Sequence, residues 1–354
     1  MADPNRVIAD RRQISAAWLT AALRATGVLS AGKVKTLSVE PLRRKALSDL
    51  YQLQVTYSEP VAIPTSFVLK LARRTEISST TNQRRWKEHE FYTQVAPVMD
   101  APPVPQAFVA AYDADTQRSH LLLEDLTTTH WGIPAPFPPT PDQLRGAVDS
   151  LAQMHAQWWA HEDLTSVTVE RDGAWIEAKS VGAQHRLEAF LEDVGAYLPR
   201  AMVSALKIVA AAWPIILQHT VVMPLTVVHG DAHPWNFLSP SATDTGRTYL
   251  LDWEGWSIEP GPHDLASLIA LHLPVGERRA QEDELLERYV DELRDRGVAD
   301  YDLRRARDDY RRAVARRMLS PAGLWSRGTK THAWWPALEH ITAAYHDLRC
   351  EEVL

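Results

Sequence analysis

Between Leu50 and Tyr57 the chain alternates, with Tyr51, Leu53, Val55 and Tyr57 set against Gln52, Gln54 and Thr56. A period of two sends successive side chains to opposite faces, so this run predicts a strand with one buried side. Val34 to Leu42 reads as an earlier strand, preceded by a helix over Ala16 to Leu23 that Ser15 can cap and Gly27 can end. Ser66 to Leu71 follows Pro64 as a third strand, an apolar run interrupted by Lys70. A helix from roughly Thr80 to Val95 and strands over Pro105 to Ala111 and Ser119 to Leu126 complete this region.

The period then changes. Trp131 to Pro141, W-G-I-P-A-P-F-P-P-T-P, cannot be regular structure and marks a boundary. It divides the chain into residues 1–126, a connector 127–141 and a second region 142–354. Thr140, with Pro141 at the first helical position and Gln143 three residues on, forms a capping box. Leu144, Val148, Leu151 and His155 make the buried stripe of that helix, with His155 a core histidine. Asp172 to Thr220 reads as two or three helices, and Asp264 opens an apolar helix in P-G-P-H-D-L-A-S-L-I-A. Ala280 to Arg296, Tyr310 to Met318 and Trp335 to Leu348 are also helical, and the dense Arg and Asp of Asp302 to Arg317 predict a solvated face.

Composition removes several function classes. At 354 residues the chain can bury two cores, and a net charge of −7 offers no basic surplus for nucleic acid. Cys350 is the only cysteine, so no internal disulfide forms, and the start M-A-D-P-N-R-V-I lacks the apolar core of a signal peptide. The expected location is the cytoplasm. Ile208 to Leu217, the most apolar stretch, is too short to cross a bilayer and contains Pro214, so no membrane span is expected.

Candidate chemistry is concentrated between Val227 and Glu254. An apolar run stops at His229-Gly230-Asp231, Asn236 follows five positions after Asp231, and a second apolar run ends in Asp252-Trp253-Glu254. H-G-D-x-H-x-x-N followed by D-W-E resembles a kinase catalytic loop and metal-binding strand. It is similar to the aminoglycoside phosphotransferase and choline kinase superfamily, in particular its ecdysteroid-kinase-like branch. The resemblance implies an α+β, bilobal protein-kinase-like fold: a small N-lobe with a five-stranded antiparallel sheet, and a larger, mainly helical C-lobe. It implies an ATP- and Mg²⁺-dependent enzyme that phosphorylates a hydroxyl of a small molecule. Asp231 would be the catalytic base, Asn236 and Asp252 the metal ligands, and His229 and His233 would shape the loop.

A charge inside a buried strand needs a partner, and Lys70 is like the kinase strand lysine that holds the α and β phosphates and pairs with a helix glutamate. Glu88 shares a helix face with Phe91, Tyr92 and Val95, whereas Glu90 points about 200° away, so Glu88 is the expected partner. Glu124 and Leu126 fall where such folds pair backbone with adenine. The phosphate-covering segment, R-R-K-A-L-S-D, departs from the glycine-rich pattern; amides of Ala46 to Asp49, Ser48 or the basic Arg43, Arg44 and Lys45 would contact phosphate, and a solvated basic turn is the alternative. Asp264 caps its helix or anchors the catalytic loop.

Acceptor identity is not written in the sequence. Trp235, Trp253 and Trp256, with the single acid Glu254, lie nearest the motif and favour a neutral or singly charged, sugar-like or polycyclic acceptor. An antibiotic kinase of aminoglycoside or macrolide type and a catalytically inactive nucleotide-binding pseudokinase are the alternatives.

Overall fold

The computed structural model describes residues 7–44, 48–73, 79–135, 137–164, 171–241 and 246–354. The chain separates into two compact units, Met1–Trp131 with Pro240–Trp256, and Gly132–Ser239 with Ser257–Leu354. Residues 240–256 thus return to the first unit after an excursion of more than a hundred residues.

The first unit is built on a five-stranded sheet in which β1 (Val34–Arg44), β2 (Ser48–Tyr57), β3 (Ser66–Ala72), β4 (Ala107–Asp113) and β5 (Arg118–Glu124) take the order β1-β2-β3-β5-β4. Every pairing is antiparallel. The alternation of β2 is realised as expected: Leu53 and Val55 are buried while Gln54 and Thr56 are exposed. Leu53, Phe67, Leu69, Phe108 and Leu122 form a core that also takes Trp18, Leu19 and Leu23 from the helix α1 (Ala16–Ala25). Ser15 caps α1 by accepting the Trp18 N–H. The second helix, α2 (Ser79–Glu90), continues from Phe91 to Val95 in π register.

The second unit is mainly helical. α3 (Pro141–Gln157) starts at the Thr140/Gln143 capping box, and Leu144, Val148, Leu151 and His155 are all buried on it. Three helices, Gly173–Val194, Arg200–Ala211 and Trp213–Val222, fill the region expected to hold two or three. Val275–Asp295, Leu303–Arg317 and Thr331–Asp347 follow. Among the described residues no single helix is long and apolar enough to cross a membrane; Arg200–Ala211 and Trp213–Val222 would suffice only together and are bent by 56°.

One expectation fails. The Asp302–Arg317 segment is not a uniformly solvated face: Asp309 is buried against Tyr301, and Arg316 and Arg317 turn inward to acceptors described below. Their charge density mimics a surface helix, but a helix ending beside buried carboxylates and carbonyls uses its last arginines as internal donors.

His120 offers a test of the first unit's core. Its Nδ1 accepts the Ile8 N–H at 3.1 Å, its ring meets Trp18 edge-on, and burial brings its pKa down to about 4. A depressed histidine pKa stabilises fully above the unfolded value of 6.5, and that contribution is lost as pH falls through about 4. In His120→Leu, melts across this window should show a shallower acid-side decline than wild type; an unchanged slope would contradict the buried neutral state.

Candidate functional site

Lys70 occupies the middle of β3 and is only 7 % exposed. Its Nζ lies 2.7 Å from Glu88 Oε1, 2.7 Å from Asp252 Oδ1 and 3.5 Å from Glu254 Oε1. Burial would lower its pKa, but Asp252, Glu88 and Glu254 hold the ammonium well above its usual range. Glu88 shows the opposite strain of the arrangement. Burial pushes it up to about 7, with Lys70 drawing it down and Glu254 and Asp252 pushing it further up. Three carboxylates around one ammonium leave a surplus of negative charge, which a bound cation relieves.

Asp252 stands in the left-handed region, φ 64° and ψ 63°. A non-glycine residue there costs on the order of 1–3 kcal/mol and persists only where its neighbours impose it. Leu250 on one side donates its N–H to the Pro103 carbonyl at 2.8 Å, and on the other a short turn, Trp253–Gly255, packs against α2. Trp253 is fully buried, its ring stacked on Phe91 at 3.8 Å and 3°. Trp256 is 6 % exposed and its indole N–H donates to the Lys87 carbonyl. These two tryptophans pack the first unit rather than offering faces to an acceptor, and Glu254 belongs to the Lys70 cluster. Nearness to the motif placed them with the acceptor; an aromatic beside a strained turn is instead held by core packing.

Of the remaining first-unit residues, Ser48 opens β2 and is buried, opposite Ala72. Lys45, Ala46 and Leu47 of the phosphate-covering segment lie outside the described residues; on either side of them Arg43 and Arg44 end β1 opposite Leu50 and Asp49 of β2. Glu124 ends β5 with its N–H donated to the Gln106 carbonyl at 2.8 Å. Leu126 is buried, and its carbonyl accepts the N–H groups of Thr129 and His130. Sequence reading passed over Asp125 between them. Its carboxylate accepts from Ser66, from Gln52 Nε2 at 2.8 Å and from Thr127 N–H at 2.9 Å, tying β2 and β3 to the turn after β5. Only an Asp followed two residues later by Thr marked it, an Asx-turn signal.

In the second unit the loop after Thr226–Val228 carries His229 to Asn236. Its peptide groups are fixed by Asp264, which is fully buried: Oδ2 accepts the His229 N–H at 2.6 Å and Oδ1 the Gly230 N–H at 2.9 Å. Of the two roles open to Asp264, loop anchor is the one observed; no capping bond is made at its own helix. His155 Nε2 lies 3.3 Å from Asp264 Oδ2 and Nδ1 lies 2.8 Å from the Tyr289 hydroxyl. A carboxylate only accepts, so Nε2 carries the proton and Nδ1 accepts from Tyr289. Burial would raise the Asp264 pKa, but His155 and His229 keep it below the usual range. Gly261 is required above this chain, since a Cβ would come within 2.3 Å of the Tyr289 hydroxyl and 2.9 Å of His155 Nδ1.

Gly230 is also held from its carbonyl side. Arg317 Nη2 donates to the carbonyls of Gly230 and His263, each at 3.3 Å. Arg316 grips Glu259 through both oxygens at 2.9 and 3.1 Å, and Arg171 adds a third contact at 3.1 Å. Arg316 and Arg317 are the arginines that the charge pattern assigned to solvent.

Asp231 follows directly. Its side chain is 59 % exposed, with His233 Nε2 3.9 Å away. Desolvation would raise its pKa, but His233, His229, His272 and Arg317 keep it below the usual carboxylate range, so it is an ionised acceptor at neutral pH. The Asp231 carbonyl accepts the Asn236 Nδ2 at 3.1 Å and the His233 N–H at 2.9 Å. With Nδ2 so used, the amide oxygen is the part of the Asn236 side chain that can accept. Trp235 is half-buried and rests against His233 and His272 at ring distances of 5.4 and 5.9 Å.

Lys70, Glu88, Asp252 and Glu254 therefore come together in the first unit, and Asp231, Asn236, His229, His233 and Asp264 in the second. Among the described residues no group of three or more His, Cys, Asp or Glu is arranged to hold a metal. Asp252 and Asn236 are hard oxygen donors of the kind that suit Mg²⁺, which keeps several waters and takes few protein ligands.

An antiparallel five-stranded sheet with a lysine-to-helix-glutamate pair, joined in one chain to a helical region bearing an H-G-D-x-H-x-x-N loop, defines a kinase-like phosphotransferase. The chain belongs to the phosphotransferase enzyme family, whose model matches residues 38–316. That membership makes it a phosphotransferase. No curated protein sequence matches it significantly. Among solved structures it is similar to the GDP complex of an aminoglycoside 2'-phosphotransferase-IIIa variant, with TM-score 0.54 and 14 % identity over 96 % of this chain and 98 % of that one. It is also similar to Plasmodium vivax ethanolamine kinase, with TM-score 0.53 and 8 % identity over 98 % and 93 %. At such identities the likeness concerns the fold.

The arginine cluster around Glu259 has a measurable signature. Burial opposes ionisation, but Arg316, His263 and Arg171 bring the carboxyl down to about 2 from 4.5. A depressed pKa stabilises above 4.5 and loses that stabilisation as pH falls through about 2. Glu259→Gln should cost about 3 kcal/mol at neutral pH, with the deficit shrinking across this acid window. A deficit that stays constant into acid would contradict the ion-pair origin.

Proposed function

We propose that the protein transfers the γ-phosphoryl group of ATP, with Mg²⁺, to a hydroxyl of a neutral or singly charged small molecule. The observation that carries this reading is the Lys70 ammonium held by Glu88 and Asp252, together with an ionised Asp231 on a loop whose amides Asp264 fixes. Lys70 grips nucleotide phosphate, and Glu88 keeps its ammonium charged and aimed. Glu124 and Leu126 lie at the backbone that pairs with the base, and Ser48 at the edge of the phosphates. Asp252 in the first unit and Asn236 in the second would each be a ligand for Mg²⁺, which would neutralise phosphate charge. Asp231 orients the acceptor hydroxyl and accepts its proton.

The acceptor class is read from the neighbours of Asp231. His233 Nε2 lies 3.9 Å from its carboxylate, and the Arg317 guanidinium donates to the carbonyl of the preceding Gly230. The similar structures include aminoglycoside kinases, but polycationic antibiotics need several carboxylates to offset the desolvation of their ammonium groups. Trp235 is the aromatic left to contact an acceptor. A sugar-like or polycyclic alcohol fits this surround better than a polyamine.

Incubation of a metabolite library with Mg·ATP should reveal an alcohol that gains about 80 Da, the mass of a phosphoryl group. Asp231→Asn should lower that turnover by roughly 10²–10⁴-fold with little change in nucleotide affinity, whereas Asp252→Ala should weaken Mg·ATP binding as well. Near-normal turnover in Asp231→Asn, or normal Mg·ATP binding in Asp252→Ala, would sink the respective role. Kanamycin-like polyamines should be poor substrates at physiological ionic strength; efficient phosphorylation of one would overturn the acceptor class and leave the kinase assignment standing.

A further inference from the structure

Lys87 precedes the Lys70 partner Glu88 on α2, and Trp256 closes the turn that follows Asp252. The two residues bind each other reciprocally. Trp256 Nε1 donates to the Lys87 carbonyl at 2.7 Å, and Lys87 Nζ donates to the Trp256 carbonyl at 3.1 Å. The same ammonium sits 4.6 Å from the centre of the Trp256 ring. One face of α2 is thereby fastened to the segment carrying Asp252 through backbone carbonyls on both sides. Four residues along, where α2 passes from α to π register, Phe91 stacks on Trp253 at 3.8 Å. The turn is thus pinned at both of its tryptophans, and the left-handed Asp252 lies just before it.

We infer that Lys87 and Trp256 are positioning residues: their clasp fixes the spacing of Glu88 and Asp252 across Lys70, so that the metal-side carboxylate is set before nucleotide arrives. This rests on the reading of Asp252 as a Mg²⁺ ligand. Neither residue need touch nucleotide, because the clasp acts through the backbone that carries its neighbours. The hydrogen bond to the Trp256 carbonyl offsets part of the desolvation cost of the half-buried Lys87 ammonium. The aromatic face over which it lies contributes a second, weaker hold on the same cation. The contact freezes one arrangement of helix and turn, which lowers the ordering cost of binding the metal–nucleotide complex.

The test compares nucleotide affinity with and without Mg²⁺, by calorimetry on the full chain. Trp256→Phe keeps the ring and removes the N–H donor; Lys87→Met keeps the stem and removes the ammonium; Lys87→Arg keeps charge and donors. In the first two, affinity for Mg·ATP should fall roughly tenfold, in keeping with one well-made hydrogen bond, while affinity for ATP in chelator changes much less. Lys87→Arg should restore most of the loss. Binding of Mg·ATP at wild-type strength in both Trp256→Phe and Lys87→Met would overturn the inference alone. So would equal losses with and without Mg²⁺ that track the fall in melting temperature, since a merely structural contact behaves that way. Wild-type protein that bound no nucleotide would overturn the kinase reading and this inference together.

Discussion

A buried ammonium dictates the organisation of the first unit. Lys70 sits on the face of β3 opposite to the core residues Phe67, Leu69 and Leu71 and is nonetheless buried, and an unpaired charge there would cost several kcal/mol. Glu88 must therefore come from α2 and Asp252 from the returning segment 240–256, and each of those elements is secured elsewhere by Phe91, Trp253, Trp256 and Lys87. The pairing overshoots, because Glu254 adds a third carboxylate at 3.5 Å. Negative surplus is costly to the empty protein and useful to one that binds a cation.

The second unit solves a different problem, holding an exposed acid on an irregular loop. Hydrogen bonds to side chains replace the ladder that a strand would give: Asp264 takes the His229 and Gly230 N–H groups, Arg317 the Gly230 carbonyl, and Asn236 the Asp231 carbonyl. With its peptides fixed in this way, Asp231 has little freedom except at its own side chain. Asp264 is in turn fixed by His155, and His155 by Tyr289.

Much of this was legible in the chain because it rests on local pattern. The β2 alternation, the Thr140 cap and the face of α2 that offers Glu88 rather than Glu90 are consequences of period and turn chemistry. The place of Asp264 at a helix start after P-G-P allowed either a cap or a loop anchor, and its bonds to the His229 and Gly230 N–H groups select the anchor. What sequence could not supply was long-range partnership. Arg316 and Arg317 look like a solvated helix end until Glu259 and Gly230 are found beside them. Trp253 and Trp256 look like pocket walls until Phe91 and the Lys87 carbonyl are seen to occupy them. Asp125 gave only the Asx-turn signal, and its reach to Gln52 and Ser66 spans strands distant in sequence. In each case the residue type fits two environments equally well, and the tertiary neighbour decides.

The account depends most on Lys70 and Glu88 acting as one unit in holding nucleotide. A double-mutant cycle on Mg·ATP affinity, using Lys70→Met, Glu88→Gln and the double variant, measures this directly. The account predicts that the double variant loses much less than the sum of the two singles, with a coupling of at least about 1 kcal/mol. Strict additivity, or a loss in Glu90→Gln equal to that in Glu88→Gln, would contradict it.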